Sequence, residues 1–415
     1  MLNLYLPKSY GEIKQYLEDP LYKNSLLLAS GRALNVASGF LFWILAARLY
    51  SIKDIGIATA LISSLGLILL LSRLGFDFSL IRFLPLNDKN NVFNTCLTIT
   101  TIASLIIGAI YILGINFFSP ALSFVQNSHY SILFLFFVLA NSLASITGNA
   151  FTAIRRAEHY FLQNIFLALR IPFLYPLITM GAFGVFSACG LAYFFSSIFS
   201  LRLLSGSMKF NLKIDKIFIK ESFRFSSGNY VSRFFSEAPP FILPLMIINL
   251  LGEAEAAKYY IAFAIGNLIF IIPEALSTSL FVECSHGESL KKNVLKAALG
   301  SYIFLIPVVV LAYFFGDDLL GFFGRNYIEA FTLLKLLVLS SLLVVIYSLF
   351  IPIQNVRMKA ESVAILNFTW FIILMGLSYI FISRFGIVGI GYAWLIAYGV
   401  LDLAIAGFAK KMRWI

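Results

Sequence analysis

Apolar stretches of membrane-crossing length follow one another through almost the whole chain, and no soluble fold can absorb that pattern. A helix needs about 20 predominantly apolar residues to cross a bilayer. Stretches of this kind fall at roughly 24–48, 55–83, 93–117, 129–150, 164–183, 185–205, 226–250, 256–283, 294–315, 330–353, 362–382 and 386–408, which makes twelve. Only 12% of the residues are charged and 60% are hydrophobic, whereas a soluble domain carries about 25% charge. The chain reads as an all-α integral membrane protein with about 12 transmembrane helices. Residues 1–23 are polar and amphipathic and read as a cytoplasmic arm or interfacial helix. They lack the n-region, h-region and cleavage site of a signal peptide, so the first apolar stretch is expected to remain as a membrane helix.

Loop charge orients the spans. With the N-terminus inside, alternate loops collect the cations, among them Arg155 and Arg156, Lys291 and Lys292, and Lys410 and Lys411. The opposite loops hold only Arg48, Lys53, Lys258, Arg325 and Arg384, with Lys335 near the end of the tenth span. This is the positive-inside bias. It predicts two cytoplasmic termini and makes the net charge of +11 a matter of topology rather than of nucleic-acid binding.

The longest inner connector, residues 206–225, carries Lys209, Lys213, Lys216 and Lys220 beside Phe210, Ile214, Ile217 and Phe218. That spacing predicts a basic amphipathic helix in the headgroup layer. It also divides the chain into an N-lobe (1–205) and a C-lobe (226–415) of six spans each. A weak repeat relates them. At an offset near 202, Ala157-Glu158 and Asn164 meet Ala360-Glu361 and Asn367, Phe183-Gly184-Val185 meets Phe385-Gly386-Ile387, and Arg32 falls within a residue of Arg233. Six spans per half preserve orientation, so the pseudo-repeat is parallel, and ligand sites in such proteins lie where the halves face each other.

Charges inside the spans point to a hydrated interior. An ionised side chain at mid-bilayer costs about 2.5–3.5 kcal/mol on insertion scales, yet the stretch 226–248 contains Arg233, Glu237 and Pro239-Pro240. At about 1.5 Å per residue, Arg32, Arg73, Arg233 and Glu274 share one layer in the inner half of the bilayer, with Glu237 a turn deeper. Asn35, Asn229 and Asn267 add neutral hydrogen-bonding groups there. Guanidinium groups favour phosphate through forked, charge-assisted bonds, so a substrate site is expected at Arg32, Arg233, Arg73, Asn35, Asn229 and Asn267. Glu274, after Pro273, and Glu237 are candidates for ion coupling or for counter-ions. The blander alternative is that Arg233–Glu237 and Arg73–Asp77 are i,i+4 pairs; Arg170 and Asp402 read as structural.

Enzyme signatures are missing: there is no P-loop, CxxC, HExxH or G-x-S-x-G. Cys96, Cys189 and Cys284 form neither a disulfide framework nor a metal-ligand pattern. No cofactor or metal is expected, and any transport would draw on an H⁺ or Na⁺ gradient, the membrane potential or the substrate's own gradient.

The stretch 25–85, with Arg32 embedded in its first helix, the turn Ile52-Lys53-Asp54-Ile55-Gly56 and Leu74-Gly75, resembles the opening of the polysaccharide-biosynthesis export proteins, the O-antigen (Wzx-type) lipid-linked oligosaccharide flippases of the multidrug/oligosaccharidyl-lipid/polysaccharide exporter superfamily. Residues 155–164 and 385–394 are similar to theirs as well. The resemblance implies a MATE-like fold of two six-helix lobes in a V, with spans 1, 2, 7 and 8 lining the cavity. It implies a bacterial inner-membrane flippase carrying an undecaprenyl-pyrophosphate-linked glycan, with Arg32 and Arg233 as its cationic residues. Partners would be the bilayer, the lipid-linked oligosaccharide, and the polysaccharide polymerase and glycosyltransferases of the same pathway; nucleic acid is not among them. The rivals are an ion-coupled drug or metabolite antiporter of the same fold, a membrane-embedded polymerase or glycosyltransferase, which would need sizeable outer loops, and a scaffold without transport.

Overall fold

A computed structural model describes residues 20–211, 214–285 and 289–411; most of the expected N-terminal arm and Lys213 lie outside them. The described residues are helical almost throughout. The N-lobe comprises α1 (Pro20–Leu49), α2 (Ile52–Ser72), α3 (Phe76–Phe83), α4 (Lys89–Leu113), α5 (Ser128–Ala153), α6 (Ala157–Ala168) and α7 (Gly181–Ser205). The C-lobe comprises α8 (Lys216–Glu237), α9 (Pro239–Leu251), α10 (Glu253–Ser285), α11 (Leu290–Gly321), α12 (Phe331–Val356), α13 (Ala360–Phe385) and α14 (Val388–Lys411). Among the described residues ten helices are long and apolar enough to cross a membrane, and eleven if α8 and α9, bent by 40° at their junction, count as one span. This is a multi-pass membrane protein.

The remaining expected span, at 164–183, is broken. After α6 come a single turn at Arg170–Phe173, an irregular stretch, and a 3₁₀ turn at Ile178–Met180. Pro172 and Pro176 each remove a backbone donor from the helical ladder. The segment still joins opposite ends of the bundle. Ala157 follows the end of α5, whereas the Ala182 amide donates to Asp54 at the far end, beside the start of α2 (2.9 Å). We call the end bearing Tyr50, Gly252 and Phe322 distal, and the end where α1 begins proximal.

Two other expectations are corrected. The second span is not continuous: Leu74 (φ 49°) and Gly75 (φ 82°) are left-handed and separate α2 from α3. The residues 206–225 do not form a separate amphipathic helix. Helix formation starts only at Lys216, where the Asp215 carboxylate accepts from the Ile217 and Phe218 amides, and it runs unbroken to Glu237. Lys209 sits in the preceding non-helical stretch, its amide bonded to Asn90 Oδ1 (2.8 Å).

Backbone geometry bears out the parallel repeat. Arg155 and Met358 both have φ 58° and are followed by Arg156 (φ −99°, ψ 65°) and Lys359 (φ −103°, ψ 56°), the turns that start α6 and α13. Gly181 and Gly386, at φ 54° and 58°, stand at the start of α7 and just before α14, the last helix of each lobe. Each lobe packs mostly on itself, and the lobes meet chiefly where α2 lies against α9 and α10.

Candidate functional site

Small residues let the lobes approach. At the distal end a Cβ on Gly56 would lie 1.8 Å from the Glu253 carbonyl oxygen, so only glycine fits. Arg48 Nε donates to the Phe322 carbonyl (2.8 Å), Asn249 Nδ2 donates to the Phe118 carbonyl (3.3 Å), and Phe40 meets Phe323 edge-on. This end is closed. At the proximal end one seam is closed too. There Ser79 bonds Ser226 (2.5 Å) and Ser222 (2.6 Å), and the Tyr230 hydroxyl donates to the Leu71 carbonyl (3.0 Å). Elsewhere α1 meets the C-lobe through its distal half, at Phe40, Trp43 and Arg48. The proximal halves of α1 and α10 leave Arg32 and Glu274 exposed.

Three adjoining cavities fill the interface. The largest, about 720 Å³, belongs to the C-lobe and is lined by Asn229, Arg233, Glu237, Asn267 and Glu274 together with Tyr347, Trp370, Trp394 and Tyr398. A pocket of about 320 Å³ in the N-lobe is lined by Arg73, Asn141, Arg170, Tyr193 and Glu237. Between them a cavity of about 220 Å³ runs past Val36, Gly39, Phe40, Trp43 and Asn267. Phe241 borders all three. Its ring lies on Gly66 of α2, where a Cβ would come within 2.3 Å of it. Phe241 is the partition between chamber and pocket.

The charged groups cross-pair between lobes. Arg233 holds Glu237 (Nε–Oε1, 2.6 Å) and reaches the nearly buried Asp77 of the N-lobe (Nη1–Oδ2, 2.7 Å), while Arg73 approaches Glu237 (3.9 Å). The expected Arg73–Asp77 pair within one segment does not form, because the left-handed turn at Leu74-Gly75 separates the two residues and redirects α3 towards α8. Arg170 Nη2 donates to the carbonyl and Oδ1 of Asn35 (2.8 Å each) and to Ser38 (3.0 Å). Its Nε, like that of Arg73, is buried without an acceptor.

Of the residues expected at the site, Arg233, Asn229, Asn267, Glu237 and Glu274 come together in the chamber, and Arg73 lies in the adjoining pocket. Asn35 instead orients Arg170. Arg32 does not join Arg233: it lines none of these cavities and has no ion-pair partner among the described residues. The repeat does hold at this point. Asn164 lies against Gly31 as Asn367 lies against Ser232, bonding its hydroxyl at 3.0 Å, so Arg32 and Arg233 occupy equivalent places. Arg32 continues the α1 stripe of Val36, Gly39 and Trp43 one turn towards the open proximal mouth. Sequence reasoning paired Asp77 with Arg73 and read Arg170 as structural, and it singled out neither Phe241 nor the tryptophans.

The architecture is the MATE-like fold. An inward-facing multidrug resistance MATE family transporter of the MOP superfamily superimposes with a TM-score of 0.68 at 17% identity, over 91% of this chain and 95% of that one. The lipid II flippase MurJ, in an inward closed conformation, gives 0.71 at 14% identity, over 93% and 87%. An outward-facing MATE family transporter gives 0.59 at 18% identity, over 96% and 97%. No family profile and no curated protein sequence matches the chain.

Proposed function

We propose that this protein is a flippase that moves a lipid-linked oligosaccharide, carried on undecaprenyl pyrophosphate, from the inner to the outer leaflet by alternating access, for assembly of a surface polysaccharide such as O-antigen. The observation that carries the reading is the N-lobe pocket: two guanidinium groups, Arg73 and Arg170, line one cavity whose only carboxylate is Glu237. Both keep an unspent buried N–H, and a pyrophosphate supplies the acceptors. The loop charges assign the proximal end, with both termini, to the cytoplasm, so the open mouth between α1 and α10 admits the headgroup from the inner leaflet. Translocation of the anion is favoured by the membrane potential, at about 2.3 kcal/mol per unit charge per 100 mV. Arg233 is held by Asp77 in this state and becomes available to phosphate when that seam opens. Polymerase and glycosyltransferases would supply and consume the cargo.

The test is transport in proteoliposomes of undecaprenyl-pyrophosphate-linked N-acetylglucosamine, read by access of an external galactosyltransferase to the sugar. R73A/R170A should lower the rate at least 100-fold while the protein stays folded in the membrane. A rate unchanged by the double substitution overturns the reading.

A second reading rests on Glu274, which is exposed in the chamber with no ion-pair partner among the described residues. That free carboxylate suits a transported cation, as in an ion-coupled antiporter, or a coupling H⁺ or Na⁺ for the flippase itself. Uptake of a fluorescent lipophilic cation, abolished by E274Q while glycolipid transport persists, favours the antiporter. Loss of pH or sodium dependence of glycolipid transport in E274Q favours coupling.

A further inference from the structure

The walls of the C-lobe chamber and the N-lobe pocket differ in chemistry. In the chamber, charge is confined to Arg233, Glu237 and Glu274; the remaining polar lining is neutral. Three amides, Asn229, Asn267 and Asn355, are exposed in it and hydrogen-bond to nothing among the described residues. Each amide offers two donors and a carbonyl acceptor. Trp370 and Trp394, each 3% exposed, form part of the wall, and the indole N–H of each is buried without an acceptor. The exposed amides favour a ligand that brings both hydrogen-bond donors and acceptors.

The wall is also rigid. The Tyr347 hydroxyl donates to Asn367 Oδ1 (2.6 Å), and Asn367 Nδ2 donates to the Ser232 carbonyl (3.1 Å) and hydroxyl (3.0 Å). Trp370 and Trp394 meet edge to face at 5.7 Å, and both pack on Tyr398. At about 720 Å³ the chamber lies within the range of sites that enclose whole small molecules.

We infer that the C-lobe chamber is a carbohydrate subsite, which takes the first sugar rings of the cargo while the pyrophosphate occupies the arginine pocket across Phe241. Sugar hydroxyls both donate and accept, which matches the exposed amides and supplies donors to the Glu274 carboxylate. The inference rests on the flippase reading and adds to it a division of labour. The N-lobe recognises the carrier common to all cargo, and the C-lobe distinguishes one glycan from another.

The experiment measures affinities of the full-length protein in nanodiscs for undecaprenyl pyrophosphate and for the same lipid bearing one N-acetylglucosamine, glucose or galactose. At least one sugar should tighten binding tenfold or more over the bare lipid. N229A, N267A and N355A, each at an exposed position, should each bring that ratio towards one. Equal affinities for bare and glycosylated lipids, or variants that leave the ratio intact, overturn the carbohydrate subsite alone. Failure of every one of these lipids to bind overturns the flippase reading and the subsite with it.

Discussion

The first helix of each lobe occupies the same place in the repeat, yet α1 and α8 are held in different ways. Asn164 and Asn367 sit against them at equivalent points, beside Gly31 and Ser232. From there the two diverge. α8 is fastened to the opposite lobe by the Arg233–Asp77 pair, the Ser79–Ser226 bond and the bond from Tyr230 to Leu71, whereas the proximal half of α1 faces an open mouth. Symmetric sequence has produced one closed seam and one open seam. In an alternating-access carrier such an imbalance is what one state of the cycle requires, and opening the closed seam involves breaking a countable set of polar contacts.

The largest effect on this asymmetry is expected from Asp77. Its side chain is 6% exposed and that of Arg233 33%, so removing the carboxylate strands a partly buried guanidinium with Glu237 alone. A hydrogen bond to a charged group contributes about 1.5–3 kcal/mol. D77A should therefore lower the melting temperature in detergent by several degrees, and D77N, which retains an acceptor, by less. Equal melting temperatures for D77A and the native protein would show that the Arg233–Asp77 pair contributes nothing to holding the seam. A smaller effect separates the two asparagines. N367A loses bonds to Ser232 and Tyr347 and should cost about 1–2 kcal/mol. N164A loses a bond only to Tyr160 of its own helix and should cost less; the reverse order of melting temperatures would break the comparison.

Much of this was legible in the sequence because a bilayer leaves few alternatives. Apolar length marks the crossings, and a charge within such a length must face hydrated interior, which is why Arg233, Asn229, Asn267 and Glu274 were found together. Ala157-Glu158 and Ala360-Glu361 announced the repeat, and the turns before them have the same geometry. Hydropathy could not show the breaks at Leu74-Gly75 and after Ala168, since an irregular stretch as apolar as its neighbours leaves the average unchanged. Nor could spacing show the exchange of partners. Arg73 and Asp77 stand four apart, as Arg233 and Glu237 do, and only the redirected α3 makes Asp77 a partner for the other lobe. Trp370 and Trp394 were hidden for another reason: among 43 phenylalanines and 20 tyrosines, nothing local distinguishes a cavity wall from packing.

Arg32 gives the smallest expected change in stability and the sharpest contrast with its counterpart. It has no ion-pair partner among the described residues and is exposed, so R32A should move the melting temperature by less than about 1 °C, within the ±0.5 kcal/mol usual for surface substitutions. Its position on the stripe of Val36, Gly39 and Trp43, one turn nearer the open mouth, predicts a kinetic role instead. Under the proposed function, a cation there would draw an anionic headgroup inward and should act on the rate of entry, which falls as salt screens the attraction over a Debye length of about 10 Å at 0.1 M. R32A should slow transport severalfold at low ionic strength and much less at high, whereas R73A/R170A should be impaired at both. An R32A defect that ignores salt would place Arg32 among the groups that hold the bound phosphate, and the two lobes would then contribute equivalent arginines after all.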